Sequence, residues 1–144
     1  MNDSPSILSG VVMRGPFLDP LNSMLDPSLP LTIEEYEEWG DPSTCSKTRE
    51  AMAGYSPYDG LKRGERYPNV LLIAAEHDAR VPLTQTLRYA ERLRELSSTT
   101  EGEHEQEVVV HVRESGGHLG EGGRYRRFEQ ASLEVAWLER AVGR

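Results

Sequence analysis

The sequence predicts an α/β domain, a mostly parallel sheet flanked by helices, and three observations carry that prediction. Val70-Leu71-Leu72-Ile73-Ala74-Ala75 is a continuous apolar run of strand length, the pattern of a strand covered on both faces. Leu83, Leu87, Ala90, Leu93 and Leu96 then recur at helical spacing. A valine-rich strand and a second periodic helix follow, and strands alternating with helices imply right-handed parallel crossovers.

The elements come in order. Leu8 to Arg14 reads as a short buried strand around Val11, Val12 and Met13, ended by Gly15-Pro16. Thr32 and Glu35 have capping-box spacing and open a short helix that closes at Gly40, and a second helix is expected from Pro42 to about Ala53. This helical pair makes the first crossover long enough to fold over the sheet edge. Asn69 to Ala75 belongs at the sheet centre. The helix after it turns its leucines to the sheet and Arg88, Arg92, Arg94 and Glu95 to water. Ser97 to Gln106 is a polar surface loop, Glu107 to Val112 is the third strand, and the glycine-dense segment from Gly116 to Gly123 ends it. In the last helix Phe128, Ala131, Val135, Leu138 and Val142 are expected to share the packed face.

A length of 144 residues suits one domain, and 37% hydrophobic with 28% charged residues suits a folded chain. The net charge of −8 argues against nucleic acid or an anionic membrane as partner and favours a cationic ligand. No segment has the length of a membrane span, and the start of the chain lacks signal-peptide character. Cys45 is the single cysteine, expected half-buried, so no internal disulfide forms and the cytosol is the default compartment. His104 and His111 have no companions at ligand spacing, so neither a metal nor a cofactor is expected.

Functional groups of a parallel sheet gather in the loops beyond the carboxyl ends of its strands. Asp78 follows the second strand and His118 the third, so two neighbouring loops would present a carboxylate and an imidazole side by side. An acid followed about 40 residues later by a histidine is the second half of the serine, aspartate, histidine order of α/β-hydrolases. The carboxylate would fix the imidazole tautomer and leave Nε2 to take a serine proton. Capping or solvent-facing roles fit the same pair. The glycine cluster lacks the spacing of a phosphate-binding loop. His77 is expected to structure its loop, and Tyr36, Trp39, Tyr55 and Tyr58 to pack rather than stack on substrate.

Longer matches narrow the choice. Gly10-Val11-Val12-Met13-Arg14-Gly15-Pro16-Phe17-Leu18-Asp19-Pro20-Leu21, Glu35-Tyr36-Glu37-Glu38-Trp39-Gly40-Asp41-Pro42, Tyr55-Ser56-Pro57-Tyr58-Asp59, His77-Asp78-Ala79-Arg80-Val81 and Gly116-Gly117-His118 stand in one order. Together they resemble the oligopeptidase B branch of the prolyl oligopeptidase family over nearly the whole chain. The resemblance implies the C-terminal half of an α/β-hydrolase catalytic domain, with Asp78 as triad acid and His118 as triad base. It implies that Arg80 holds a substrate backbone carbonyl, although a surface ion pair fits Arg80 too. It implies that Glu35 and Glu37 receive an arginine or lysine before the cleaved bond, against which stands a plain solvated helix start.

No G-x-S-x-G nucleophile elbow occurs in these 144 residues. The chain is therefore expected to supply acid, base and specificity pocket to a serine endopeptidase of short peptides, and to be inactive alone. A sheet begun at its middle would leave an apolar edge for a complementary chain or for self-association. A non-catalytic interaction module and an esterase-like relative remain the alternatives.

Overall fold

The computed structural model describes residues 1–97, 106–118, 120 and 123–143. Strands β1 (Gly10–Arg14), β2 (Asn69–Ala75) and β3 (Val108–Arg113) form a parallel sheet in the order β1-β2-β3. Every residue of β2 is buried, as its unbroken apolar run requires of a central strand. Helices α1 (Pro20–Met24), α2 (Tyr36–Trp39) and α3 (Ser46–Tyr55) fill the first crossover, α4 (Leu83–Ser97) the second, and α5 (Arg124–Val142) closes the chain. Among the described residues no helix is long and apolar enough to cross a membrane.

Because side chains alternate along a strand, β2 feeds two cores. Val70 and Leu72 pack with Tyr89, Ala90 and Leu93 of α4, while Leu71 and Ile73 pack with Trp137 and Ala141 of α5. Both helices sit differently from their leucine and valine periodicity. On α4 the buried set is Gln85, Thr86, Tyr89, Ala90 and Leu93, and Leu87 is exposed. Tyr89 takes the central place, and Arg88 and Arg92 lie over the ring of Tyr58, Arg88 staying exposed as expected and Arg92 half-buried.

On α5 the correction is larger. Glu134, Trp137 and Ala141 are buried, while Phe128, Val135 and Val142 are exposed. The reason is an ion pair: Arg14, at the end of β1, grips Glu134 through Nε at 2.6 Å and through a second bond from Nη2, and Gln130 Nε2 donates to the same carboxylate at 3.0 Å. A buried carboxylate so held sets which face meets the sheet. Burial pushes the Glu134 carboxyl up, but the Arg14 and Gln130 bonds outweigh it and hold it below its ordinary 4.5.

Replacing Arg14 by methionine is therefore expected to cost about 1–3 kcal/mol, because Glu134 keeps its burial and loses its cation. A group with a depressed folded pKa stabilises fully above its unfolded value and loses that contribution as pH falls through the folded one. Without Arg14 the burial of Glu134 is opposed by Gln130 alone and its carboxyl rises, so the Arg14→Met deficit should be largest at neutral pH and shrink in acid, as urea unfolding over a pH series reads directly.

The smaller elements also depart from expectation. Leu8 is exposed and the first strand begins at Gly10. Thr32 does not cap a helix: its hydroxyl is buried and donates to the Ser23 carbonyl at 2.9 Å, and α2 starts after Glu35 with no side-chain cap. Residues 42–45 stay out of α3 because Asp41 Oδ1 accepts from the Ser43 N–H at 2.8 Å and Oδ2 from the Thr44 hydroxyl at 2.9 Å, which makes a turn of that stretch. Cys45 is exposed rather than half-buried. Of the polar segment after α4, residues 98–105, including His104, lie outside the described residues.

Candidate active site

Asp78 and His118 meet where the chain order predicts, at the carboxyl edge of the sheet. His118 Nδ1 lies 2.9 Å from Asp78 Oδ2, the carboxylate side chain being 2% exposed and the imidazole 29%. The other oxygen, Oδ1, accepts the backbone N–H groups of Arg80 at 2.9 Å and Val81 at 3.0 Å. Burial pushes the Asp78 carboxyl up, yet those two N–H groups and the His118 ring outweigh it and hold it below 3.8. An ionised carboxylate only accepts, so the proton between the pair belongs to Nδ1, and Nε2 is left with its lone pair as a base.

The histidine sits in a turn closed by the Gly120 N–H donating to the Gly117 carbonyl at 3.0 Å. Gly15, the residue just past β1, approaches the ring from the side. A methyl group on Gly15 would come within 3.1 Å of His118 Cε1 and 3.3 Å of Nδ1, and its φ of +49° already favours glycine. In sequence Gly15 reads only as a strand terminator. Nothing in the pattern says that a loop from two strands away crosses over it.

This geometry can move a proton: an anchored carboxylate, an imidazole held in one tautomer, and a free ring nitrogen. Among the described residues no serine hydrogen-bonds to His118. Comparison with known proteins then decides the family, since the model of the prolyl oligopeptidase family matches residues 1–144. The chain belongs to the prolyl oligopeptidase family.

It is 38% identical over 147 residues to the prolyl endopeptidase-like protein of Pongo abelii, covering 99% of this chain and 20% of that protein. It is 32% identical over 142 residues to dipeptidyl aminopeptidase BI of Pseudoxanthomonas mexicana, covering 99% of this chain and 19% of that protein. Oligopeptidase B from Leishmania major superposes with a TM-score of 0.87 at 29% identity, over 99% of this chain and 19% of that one. The chain thus spans about a fifth of the length of these relatives, and its sheet and helices are those of the α/β-hydrolase domain of oligopeptidase B.

The other residues that the family resemblance singles out are placed as follows. Arg80 is exposed, and its backbone rather than its side chain serves Asp78. His77 is exposed, so the loop is organised by the Asp78 carboxylate and not by His77. Glu35 is half-buried and Glu37 exposed, at the start of α2, and neither forms an ion pair among the described residues. Neither touches the Asp78 and His118 pair, but α2 is tied to the same edge: the Trp39 ring packs edge-on against Phe17, two residues beyond Gly15, at 5.7 Å, and lies 6.4 Å from Tyr55.

Proposed function

We propose that this chain provides the acid and base of a serine-type endopeptidase that cleaves short peptides after arginine or lysine. The observation that carries the reading is the 2.9 Å contact between Asp78 Oδ2 and His118 Nδ1 at the sheet's carboxyl edge. His118 Nε2 takes the proton of a serine hydroxyl as it attacks, then returns it to the leaving amine, and Asp78 stabilises the imidazolium between the two steps. The serine and the oxyanion-stabilising groups come from outside these 144 residues, so the chain alone is inactive. The exposed guanidinium of Arg80 donates to a substrate backbone carbonyl. Glu35 and Glu37, with no ion pair of their own among the described residues, receive the cationic side chain. The compartment that a lone exposed thiol supports is the cytosol.

Joining the chain in frame to a family segment that carries a glycine-flanked serine gives the test. The joined protein is expected to hydrolyse an arginyl amide, to prefer it over a neutral amide, and to lose the activity on His118→Ala. Hydrolysis of simple esters with no arginyl amide cleavage would overturn the basic-residue preference, and activity undiminished by His118→Ala would overturn the role of the pair.

A second reading rests on a different feature. The outer edge of β1 has no strand neighbour among the described residues, and Ile7 and Leu8 stand exposed just before it. Such an edge pairs with a complementary chain or with a second copy. Sedimentation of the isolated chain as a monomer at all concentrations, with no binding to the serine-bearing segment, would remove this reading.

A further inference from the structure

The Asp78 and His118 loops leave different strands, and something must set the distance between them. Arg113, the last residue of β3, touches both. Its backbone carbonyl accepts the N–H of Glu76 at 2.9 Å, two residues before Asp78. Its guanidinium reaches the other way: Nη2 donates at 3.2 Å to the Gly117 carbonyl, the same oxygen that closes the histidine turn through the Gly120 N–H.

The space under that turn is shaped for the guanidinium. A methyl group on Gly120 would come within 2.7 Å of Arg113 Nη1, and Gly120 has a φ of +90°. Arg113 Nε is buried with no hydrogen-bond acceptor among the described residues, and Arg113 forms no ion pair there. Burying a donor unpaired is costly, and a side chain kept for surface charge would not accept that cost. Arg113 and His118 line one cavity of about 710 Å³ between the sheet edge and the first half of α5.

We propose that Arg113 is a positioning residue that locks the turn carrying His118 to the rigid end of β3 and thereby holds the imidazole in register with Asp78. The physical need is plain. Gly116, Gly117 and Gly120 leave the backbone around the histidine with more freedom than any other residues would, and proton transfer requires placement to within about 0.5 Å. A strand end is fixed by its neighbours, and a two-ended connector from it removes the freedom of both loops at once. The meaning for catalysis rests on the peptidase reading, but the contact itself needs no nucleophile.

The test uses the whole 144-residue chain and proton and nitrogen NMR of the imidazole. The wild-type chain is expected to give a low-field Nδ1–H resonance protected from exchange, with His118 in the Nδ1–H tautomer. Arg113→Met keeps the apolar stem and removes the donors, and should broaden or abolish that resonance while the amide spectrum of the sheet persists. Arg113→Lys, which keeps a cationic donor on a similar stem, should retain it in part. Should Arg113→Met fail to fold, Arg113→Gln, which removes the guanidinium and shortens the reach to the Gly117 carbonyl, should have the same effect on the resonance. A folded Arg113→Met or Arg113→Gln chain with the wild-type signal and exchange rate would overturn the proposal. Loss of peptidase activity plays no part in this readout, so the peptidase reading can fail while the role of Arg113 stands.

Discussion

In the joined, serine-bearing protein, Asp78→Asn is expected to lower kcat for an arginyl amide by about 10⁴-fold with little change in KM. The substitution is nearly isosteric. The asparagine carbonyl can still accept the N–H groups of Arg80 and Val81, which lie 2.9 and 3.0 Å from Asp78 Oδ1, so the loop keeps its shape. What changes is the group facing His118 at 2.9 Å: an amide NH₂ donates where the carboxylate accepted. The imidazole then turns its unprotonated nitrogen toward residue 78 and its N–H toward the nucleophile, and it ceases to be a base there.

The same variant has a stability signature. Asp78 is held below its ordinary 3.8, so its ionised form stabilises the fold fully above that value and progressively less as pH falls through the lower folded one. Asparagine does not titrate. The stability gap between wild type and Asp78→Asn should close in acid, and urea midpoints across the acid range check it. A gap independent of pH, or a variant retaining most of its kcat, would remove Asp78 from the mechanism.

Much of this architecture is legible in the amino-acid sequence. The strand Asn69–Ala75 has the same bounds in sequence and structure, because an unbroken apolar run tolerates no other register. Asp78 and His118 are legible for a related reason: parallel strands deliver their following loops to one edge, so two loop residues on adjacent strands are neighbours whatever lies between them in sequence. The helix faces are not legible in the same way. Hydropathy assigns Glu134 to solvent, whereas its burial is offset by the bonds from Gln130 on the same helix and from Arg14, 120 positions earlier, and Val135 faces out. Thr32 fails likewise, since a short-range capping pattern gives way to a hydrogen bond with Ser23 across the crossover. Gly15 and Arg113 escape notice because their work lies in loops crossing over them. Local pattern carries elements and edges, and side-chain partners distant in sequence decide orientation.

Gly15 touches the proposed chemistry through just such a distant partner, and Gly15→Val is the second large effect. A β-branched residue at a φ of +49° is strained by about 1–2 kcal/mol before any neighbour is considered. The neighbour here is the catalytic ring of the proposed triad, with His118 Cε1 3.1 Å and Nδ1 3.3 Å from where the Cβ would lie. The backbone of Gly15 cannot retreat easily, because its N–H donates at 2.8 Å to the Ile73 carbonyl on the central strand. The imidazole gives way instead, and it does so along the side that holds its bond to Asp78. Displacement of a catalytic group by about 1 Å costs roughly 10²-fold in rate, so kcat/KM of the joined protein should fall by about that factor or more. Two measurements separate the causes: the urea midpoint reads the backbone strain, and the protected Nδ1–H resonance of His118 reads the displaced ring. A Gly15→Val protein that loses stability yet keeps both the resonance and the rate would mean that the histidine works from a position other than the one beside Gly15.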